Sequence, residues 1–504
     1  MDAVFEPVES VIVVGGGDAG LLAALLVNAK NSETKITVID DFEDDIPSVG
    51  KSTYTPIIDI LHNTLKIDGD RFIEEVQPVW KGSVYFEDWC GLDPFHFPFD
   101  DRTISTGGRK EQFDEFYYRY QTRAEKTVDT ELVEQRKTPF TETPTGLEQY
   151  HPIAYHLDLS RFNPFLREVC QERGIHLVDD EITAVQTDNQ TRITTVNSQD
   201  TEYTADLYID ATGFNRSLIS ELQHDFNELE MPLDSAVTGQ AEIALGEITP
   251  ATVIRTGDNG WFWQIDTTNN RDLGYVYSSA HCSQDEATTE FLEYFDSESG
   301  LVEDTLRHYS FNSGAVNEPW VGNCLAVGNA GGFIEPLQST TLTQTTLLTR
   351  KAMELLSQNR FHNTAGVRDV YNTHAQDAWE NVHQFVLMHY AFAPGDSDFW
   401  KDIRSRVNPS EIAWYQNYQS SGNAMLQDAA VTNAGATTEP FIIPQKGFSF
   451  MLQCLNVDCE FYEELDIEVP QHVKDMVDDH ERVVEKQVRE NHLSYPEYYR
   501  QKSV

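Results

Sequence analysis

The stretch Ser10-Val-Ile-Val-Val-Gly-Gly-Gly-Asp-Ala-Gly20 decides the fold of the first part of the chain. Its apolar run over residues 10–14 predicts a buried parallel strand, and the Gly-x-Gly-x-x-Gly turn after it predicts close backbone approach to an anion. A helix over residues 21–29 and a second strand over residues 35–40 complete a βαβ pattern. Together these elements predict a dinucleotide-binding module of the Rossmann type.

The three motif glycines of this turn are predicted to have different roles. Gly15 allows the tight turn, Gly17 lets a pyrophosphate approach the backbone, and Gly20 lets the helix pack closely. Asp40 ends the second strand, where an acid can accept a hydrogen bond from a ribose hydroxyl. The residues predicted to bind the dinucleotide here are Gly15, Gly17, Asp18, Ala19, Gly20 and Asp40.

Two later turns repeat the pattern of a strand that ends near glycine. A β-like run over residues 205–209 closes on Asp210-Ala-Thr-Gly213, and a strand over residues 324–327 ends at Gly328 and is predicted to lead into a helix. Backbone N–H groups at such turns can approach an anion. Turns this far apart in the sequence indicate one long dinucleotide, FAD, held by distant parts of the chain. The further residues predicted to bind it are Asp210, Gly213, Gly328, Asn329 and Leu342.

The charge of the chain is strongly acidic. Its 83 Asp and Glu residues outnumber 36 Lys and Arg residues, for a formal net charge of −47, and the acids are spread over the whole length. On a folded surface this indicates adaptation to very high salt, where screening removes the self-repulsion. An unusually acidic protein from a low-salt organism is the alternative. In both cases the charge argues against nucleic-acid binding.

Cysteine usage and hydropathy indicate an intracellular, soluble protein. The six cysteines occur singly, without a Cys-x-x-Cys pair, which is typical of reduced thiols and predicts neither a disulfide framework nor a metal site. The N-terminal segment lacks a basic region, and no run of 18 apolar residues occurs. We therefore expect a cytoplasmic protein with no membrane association.

The length of 504 residues is too great for one small core, so at least two subdomains are expected. We predict an FAD-binding module within residues 1–350, built from segments near 10–60, 165–220 and 320–350, with an inserted β-rich substrate and active-site region over residues 235–315. Residues 351–504 are predicted to form a helical region that covers the substrate, with amphipathic spacing over residues 471–490. The fold class predicted is α/β, a two-lobed flavoprotein.

Four further stretches carry more specific information. They are Gln77-Pro-Val-Trp-Lys-Gly-Ser-Val-Tyr-Phe-Glu-Asp-Trp89, Trp261-Phe-Trp-Gln-Ile-Asp266 followed by Gly274-Tyr-Val-Tyr-Ser278, Gly328-Asn-Ala-Gly-Gly-Phe-Ile-Glu-Pro-Leu-Gln-Ser-Thr-Thr341, and Phe385-Val-Leu-Met-His-Tyr390 followed by Asp396-Ser-Asp-Phe-Trp400. With the first glycine turn, they resemble the flavin-dependent halogenases, the tryptophan halogenase family. The matches extend from about residue 10 to 400, which is most of the chain.

The resemblance implies roles for individual residues. Lys81 stands at the position of the family's catalytic lysine, which receives hypohalous acid and delivers the halogen to the substrate. Trp261 and Trp263 stand where the family has a barrier between flavin and substrate. The family's halide loop corresponds to Thr340 and Thr341. A weaker correspondence places the substrate near His96, Phe97 and Phe448, and packing in a core is an equal alternative for these rings.

The chain departs from the family pattern at several of these positions. Gln338 replaces the glutamate of Glu-Pro-Leu-Glu-Ser-Thr, and an amide can form hydrogen bonds but cannot act as a base. Thr341 replaces a glycine of the halide loop, and Asp266 replaces the proline of Trp-x-Trp-x-Ile-Pro. In Gly50-Lys51-Ser52-Thr53 the family often has Gly-Glu-Ala-Thr.

The function implied is halogenation of an aromatic or otherwise electron-rich small molecule with FADH2, O2 and chloride or bromide. The expected partners are the substrate, the halide and a separate flavin reductase that supplies FADH2, since no second nicotinamide-binding motif is found. A homodimer is left open. Two alternative functions also stay open: a flavin-dependent monooxygenase, and, because of Gln338, a non-catalytic flavin-binding protein.

Overall fold

A computed structural model describes residues 7–42, 50–99, 103–106, 109–112, 116–117, 120, 122, 124–151, 153–295, 300–409, 412–422, 442–443, 445–465 and 468–502. The chain forms two compact units. The first unit comprises Met1–Pro78, Leu157–Met231 and Phe311–His383, and the second comprises Val79–His156, Pro232–Ser310 and Gln384–Val504.

Within the described residues, the first unit is built on a six-stranded sheet. Its neighbouring strands follow the order His176–Asp179, Lys35–Asp40, Ser10–Val14, Leu207–Asp210, Cys324–Ala326 and Trp320–Val321. Every neighbouring pair is parallel except the last. The strands Ser10–Val14 and Lys35–Asp40 match the predicted ranges. The parallel order brings the carboxyl ends of these strands to one edge, where open α/β sheets bind their ligands.

Helices pack against this sheet. The helix Asp18–Lys30 contacts the helices Thr341–Gln358 and Leu159–Glu172, and its residues from Gly20 to Val27 are all buried. A helix that is apolar all round is expected in such an enclosed position. The other helical segments of this unit are Pro56–Ile58, Asp59–Thr64, Gly69–Val76, Gly213–Asn215, Ile219–Glu221, Gly328–Ala330 and Leu337–Ser339. Short strands outside the main sheet are Lys51–Ser52, Ala184–Asp188, Arg192–Asn197, Glu202–Tyr203, Phe226–Glu228, Gly314–Val316 and Gly332–Phe333.

The strand that ends at Gly328 was predicted to lead into a helix, and the structure places intervening turns before that helix. The chain makes a single turn over Gly328–Ala330, a short strand and a second turn, and the long helix begins at Thr341. The positive φ angle of Gly328, +62°, turns the chain away from helical geometry at this point.

In the described part of the second unit, seven strands form the main sheet. Their order is Leu301–Ser310, Ser235–Glu242, Asn270–Tyr277, Gly260–Asp266, Ala251–Gly257, Ser83–Phe86 and Phe95–Pro98. All neighbours are antiparallel except Ala251–Gly257 with Ser83–Phe86. A core of Val237, Phe262, Leu273 and Tyr275 packs with the helix Gln284–Phe295. Five of these seven strands lie within residues 235–310, and the helix lies between two of them in the sequence.

The remaining elements of the second unit are shorter strands and helices. The strands are Val79–Lys81, Thr103–Thr106, Arg109–Gln112, Lys137–Thr143, Gly146–Gln149, Ala154–Leu157 and His492–Ser494. The helices are Val128–Glu134, Leu245–Glu247, Asp398–Arg406, Ala413–Ser421, Gln445–Cys454, Glu460–Leu465, Gln471–Asn491 and Tyr495–Lys502, and the helix Ala365–Ala391 enters this unit at Gln384. Among the helices of the described residues, none is long and apolar enough to cross a membrane.

Candidate active site

The first glycine turn contains two glycines that the chain itself requires. Gly15 has a φ angle of +107°, and a Cβ atom there would lie 2.3 Å from the carbonyl oxygen of Ala211. A Cβ atom at Gly20 would lie 1.9 Å from the carbonyl oxygen of Gly15. Any side chain at either position would therefore collide with the backbone, which accounts for both glycines without a ligand.

Gly17 is different, because its conformation allows any residue. Its φ angle is −75°, and within the described residues no atom lies within 4 Å of the point where a Cβ atom would stand. Gly17 precedes the helix Asp18–Lys30, for which no described side chain acts as a cap. A helix N-terminus with open space before it binds anions through its backbone N–H groups and its dipole. This open cradle fits the pyrophosphate of a dinucleotide.

The distant glycine turns meet the first one. The Cβ atom of Ala19 lies 2.9 Å from the position that a Cβ atom would take at Gly328. Gly213, with a φ angle of +65°, follows the strand between them and faces open space among the described residues. Asn329 is half-buried in the turn after Gly328. The structure thus brings the three glycine turns to the carboxyl ends of three neighbouring parallel strands.

The two predicted acids of this module occupy unlike environments. Burial raises the pKa of the Asp40 carboxyl, although a hydrogen bond from the backbone N–H of Gly16 acts in the opposite direction. The carboxylate of Asp210 is fully buried and accepts hydrogen bonds from its own segment. The donors are Thr212 N at 3.0 Å, Thr212 Oγ1 at 2.7 Å, Leu218 N at 2.9 Å and Ile219 N at 2.8 Å. The Asp210 side chain therefore stabilises the turn that carries Gly213.

Lys51 places a positive charge near the start of the helix Asp18–Lys30. Its Nζ atom lies 3.8 Å from Oδ2 of Asp18, which is in the first turn of that helix. A lysine at this place offsets the carboxylate of Asp18 beside the pyrophosphate cradle. The exchange of the family's usual glutamate for Lys51 thus has a local electrostatic consequence.

Gln338 lies in an unusual backbone conformation. Its φ angle is +66° and that of the next residue, Ser339, is +57°, a region that non-glycine residues seldom adopt. Gln338 is fully buried, and its Oε1 atom accepts a hydrogen bond of 3.0 Å from the hydroxyl of Tyr54. The backbone N–H of Tyr54 in turn donates to Oγ1 of Thr343 at 2.9 Å. Strained consecutive residues that are fixed by such contacts are typical of functional sites.

The predicted halide residues begin the helix Thr341–Gln358. Thr340 is 2% exposed, Thr341 is half-buried, and the next residue, Leu342, is buried. The carbonyl oxygen of Thr340 accepts the hydrogen bond from Gln344 N that closes the first turn. The N–H groups of Thr340 and Thr341 therefore belong to a helix N-terminus, a position that favours an anion.

Lys81 ends the strand Val79–Lys81 and is fully buried. Burial lowers the pKa of its amine well below the usual value, because the charged form loses its hydration. Its Nζ atom lies 4.8 Å from the centre of the Phe99 ring. The run from Lys81 onward is not one strand, since a second strand starts at Ser83 after Gly82. Lys81 and Ser83 therefore belong to different strands.

The strand Gly260–Asp266, called the Trp strand below, carries both predicted barrier residues. Trp261 is 1% exposed, and its Nε1–H donates a hydrogen bond of 2.9 Å to the hydroxyl of Tyr390. The ring of Trp263 covers Gly274, where a Cβ atom would lie 2.2 Å from the ring. Phe262, between them, stacks on Tyr275 at 4.3 Å in the core on the other face. Alternation along the strand thus places the two tryptophans together.

The predicted substrate residues fall into two groups. His96 uses both ring nitrogens within the chain, with Nδ1 2.9 Å from Oγ of Ser83 and Nε2 2.9 Å from Oε1 of Glu134. Phe97 and Phe448 are both buried and both contact Phe385, at centroid distances of 5.5 and 5.2 Å. Phe97 and Phe448 therefore pack against the same ring, whereas His96 pairs with Ser83 and Glu134.

Sequence reasoning missed Tyr54 and His156. Tyr54 lies beside the quoted Gly50-Lys-Ser-Thr53 stretch, but its contact with Gln338 spans 284 positions and leaves no local pattern. His156 is a fully buried histidine on the strand Ala154–Leu157. The sequence shows that a histidine lies within an otherwise apolar strand, but it does not show which residues the imidazole contacts.

Comparisons with known proteins agree over most of the chain. The family model for tryptophan halogenase matches residues 10–436. Tryptophan 6-halogenase SttH of Streptomyces toxytricini is 27% identical over 443 residues, which cover 80% of this chain and 82% of the relative. Tryptophan 7-halogenase RebH of Lentzea aerocolonigenes is 26% identical over 436 residues, 78% of each chain. The crystal structure of MibH, a lanthipeptide tryptophan 5-halogenase, is similar with a TM-score of 0.83 at 26% identity, covering 98% of this chain and 94% of that one.

Proposed function

The chain belongs to the tryptophan halogenase family and is a flavin-dependent halogenase, and we propose that it transfers chlorine or bromine to an indole or a similar electron-rich aromatic molecule. The relatives named tryptophan 6-halogenase and tryptophan 7-halogenase support the indole class. A separate reductase is proposed to supply the FADH2. The observation that carries the proposal is a fully buried lysine, Lys81, on a strand of the second unit.

FAD is proposed to bind the glycine turns of the first unit. Gly17 and the helix N-terminus after it would hold the pyrophosphate, Asp40 the ribose, and Gly213, Gly328 and Asn329 would line the path of the cofactor. The support is the open space at Gly17 and Gly213 and the contact of Ala19 with Gly328. When bound, reduced FAD would activate O2 for the two-electron oxidation of halide to hypohalous acid.

The halide is proposed to bind the backbone N–H groups of Thr340 and Thr341. These residues begin a helix, and Thr340 is 2% exposed, so an anion there would be largely shielded from water. Backbone donors suit a weakly held anion because they bring no counter-charge.

Lys81 is proposed to accept the halogen from hypohalous acid. The nitrogen lone pair attacks the halogen, the oxygen–halogen bond breaks, and the hydroxide formed takes a proton from the amine and leaves as water. The haloamine then gives the halogen to the aromatic carbon, and the proton that this carbon loses passes to the lysine nitrogen, which restores the amine. A lone pair is required, so the lowered pKa of the buried Lys81 amine favours this reaction at neutral pH.

Trp261 and Trp263 are proposed to keep the aromatic substrate from direct oxidation. Both rings are buried, and hydrogen bonding to Tyr390 and packing on Gly274 hold them rigidly. Gln338 is proposed to form hydrogen bonds to the reagent in place of the family's glutamate. Its amide is held by Tyr54 but cannot carry the proton that a carboxylate could take.

The proposal is tested by supplying FADH2, O2 and bromide or chloride with a library of indoles and phenols at multimolar salt. Products are identified by mass, and yield is measured per FADH2 consumed. Lys81→Ala should still release hypohalous acid but should lose nearly all halogenated product. Lys35→Ala is the matched control, because Lys35 is an exposed lysine on a strand.

Three outcomes separate the alternatives. Halogenated product from wild type and Lys35→Ala, with none from Lys81→Ala, supports the proposal. Unchanged product from Lys81→Ala removes the lysine from the reaction. Products that gain oxygen and no halogen would instead indicate a monooxygenase.

A further inference from the structure

The surroundings of Lys81 in the second unit include a histidine without an assigned role. The strand Ala154–Leu157 runs antiparallel to Val79–Lys81, with Ala154 opposite Lys81 and His156 opposite Val79. Residues opposite each other share a face, and so do residues two apart on one strand. His156 and Lys81 are therefore diagonal neighbours on the same face, within reach of long side chains.

Both ring nitrogens of His156 are engaged. Nδ1 lies 3.0 Å from the carbonyl oxygen of Asp266, and Nε2 lies 3.1 Å from Oγ1 of Thr252. A carbonyl oxygen accepts only, so Nδ1 carries the proton, and Nε2 of the neutral ring accepts from the Thr252 hydroxyl. His156 is fully buried, and this burial is the main cause that lowers the pKa of its imidazole to about 3; Lys81 adds to the effect only when its amine is protonated. The imidazole is therefore uncharged at neutral pH.

Asp266, whose carbonyl oxygen contacts His156, is fixed by hydrogen bonds to its carboxylate. Asp266 ends the Trp strand, directly opposite Arg271 on the neighbouring strand. Its carboxylate accepts two hydrogen bonds from Arg271, at 2.8 and 3.0 Å, and one of 2.8 Å from the backbone N–H of Thr249. The ion pair fixes the backbone of Asp266 and so the direction of its carbonyl group. The charges of Asp266 and Arg271 are therefore paired with each other.

We propose that His156 is a positioning residue for Lys81, held by Asp266 and Thr252 as an uncharged imidazole that excludes water and keeps the lysine amine in its free-base form. This inference rests on the proposed role of Lys81 as halogen acceptor. Attack on hypohalous acid needs the nitrogen lone pair, and hydration of the amine would favour its protonated form. An uncharged ring that fills the space beside Lys81 prevents that hydration.

The test is the pH dependence of halogenation. The rate should rise with pH as Lys81 loses its proton, so a variant that admits water should show the same rise at higher pH. In His156→Ala the rising limb is expected to move to higher pH by about one pH unit or more. If the limb moves by about one pH unit, the product rate at a given pH on it falls about tenfold. Release of hypohalous acid without substrate, measured in parallel, should be unchanged.

His156→Asn separates positioning from folding. The Asn side chain can still donate to the carbonyl oxygen of Asp266 but does not reach Thr252 in the same way, so a smaller displacement of the limb in the same direction is expected. Tyr155→Phe is the control, because Tyr155 lies opposite Trp80 and alternates to the other face. It should leave the pH profile unchanged.

The outcomes are distinct. An alkaline displacement of the pH profile in both His156 variants supports the inference. No change, or an equal loss at every pH, indicates at most a structural role and overturns it. If Lys81→Ala retains its product, or wild type releases no hypohalous acid, the proposed function fails and this inference fails with it.

Discussion

Gly17 and Gly15 have different reasons to be glycine, and their substitutions should separate cofactor binding from folding. Gly17→Val should fold normally, because its φ angle of −75° suits any residue and its surroundings are open. The added side chain would occupy the anion cradle, so FAD binding should be abolished. The measurement is titration with FAD, together with thermal unfolding.

Gly15→Ala, in contrast to Gly17→Val, should lower the stability of the fold. Its Cβ atom would lie 2.3 Å from the Ala211 carbonyl oxygen at a φ angle of +107°, so we expect a loss of stability of about 1–3 kcal/mol. A Gly17→Val protein with normal FAD affinity would show that this turn does not bind the dinucleotide.

Gln338→Glu should hold or raise halogenation and should add a pH dependence that wild type lacks. The Tyr54 hydroxyl, 3.0 Å from Oε1, can donate to a carboxylate as well as to an amide. The ionised carboxylate would stabilise positive charge on the reagent or take the substrate proton. That benefit is present above the pKa of the new carboxyl and is lost as the pH falls through it.

Product yield per FADH2, measured for wild type and Gln338→Glu across the pH range, checks this prediction. Parallel profiles with a lower yield for Gln338→Glu would mean that the amide, and not a carboxylate, suits this reaction. Tyr54→Phe in each background would show whether the hydroxyl orients the side chain.

The Trp strand depends on a neighbouring glycine for the position of its second tryptophan. A Cβ atom at Gly274 would lie 2.2 Å from the Trp263 ring, and the ring cannot be displaced cheaply because it is buried. Gly274→Ala should therefore cost about 1–3 kcal/mol of stability through overpacking. It should also lower the halogenated product per FADH2, since Trp263 is displaced.

Gly366→Ala provides the comparison for that variant. Gly366 is in the helix Ala365–Ala391, and no described atom lies within 4 Å of its added Cβ. The substitution should be neutral or slightly stabilising. Equal unfolding temperatures for the two variants would contradict the assigned packing of Trp263 on Gly274.

The acidity of the molecule predicts a strong dependence on salt. With a net charge of −47, repulsion acts over a Debye length of about 30 Å at 0.01 M salt but only about 3 Å at 1 M. Screening by salt costs little stability at exposed ion pairs such as Arg482–Asp479, because such pairs contribute little to the free energy of unfolding. The unfolding temperature should therefore rise from dilute to multimolar KCl. An unfolding temperature that is indifferent to KCl would contradict the inferred adaptation to high salt.

Local patterns were sufficient for the elements whose signals are contiguous in the chain. The strands Ser10–Val14 and Lys35–Asp40 followed from apolar runs, and the helix Gln471–Asn491 from its amphipathic spacing. These signals are readable because the period of side-chain burial is set by backbone geometry within the element. The same alternation along the strand Gly260–Asp266 places Trp261 and Trp263 on one face.

The tertiary structure decided the contacts between residues that are far apart in the chain. The hydrogen bond of Tyr54 to Gln338 and the hold of Asp266 on His156 depend on strand order and turn geometry. The prediction that Asp210 binds the cofactor stays a prediction, and the tertiary structure adds that its carboxylate accepts hydrogen bonds from the backbone of its own turn. A sequence shows which groups can donate or accept, but which partners they find depends on how the strands are ordered in space.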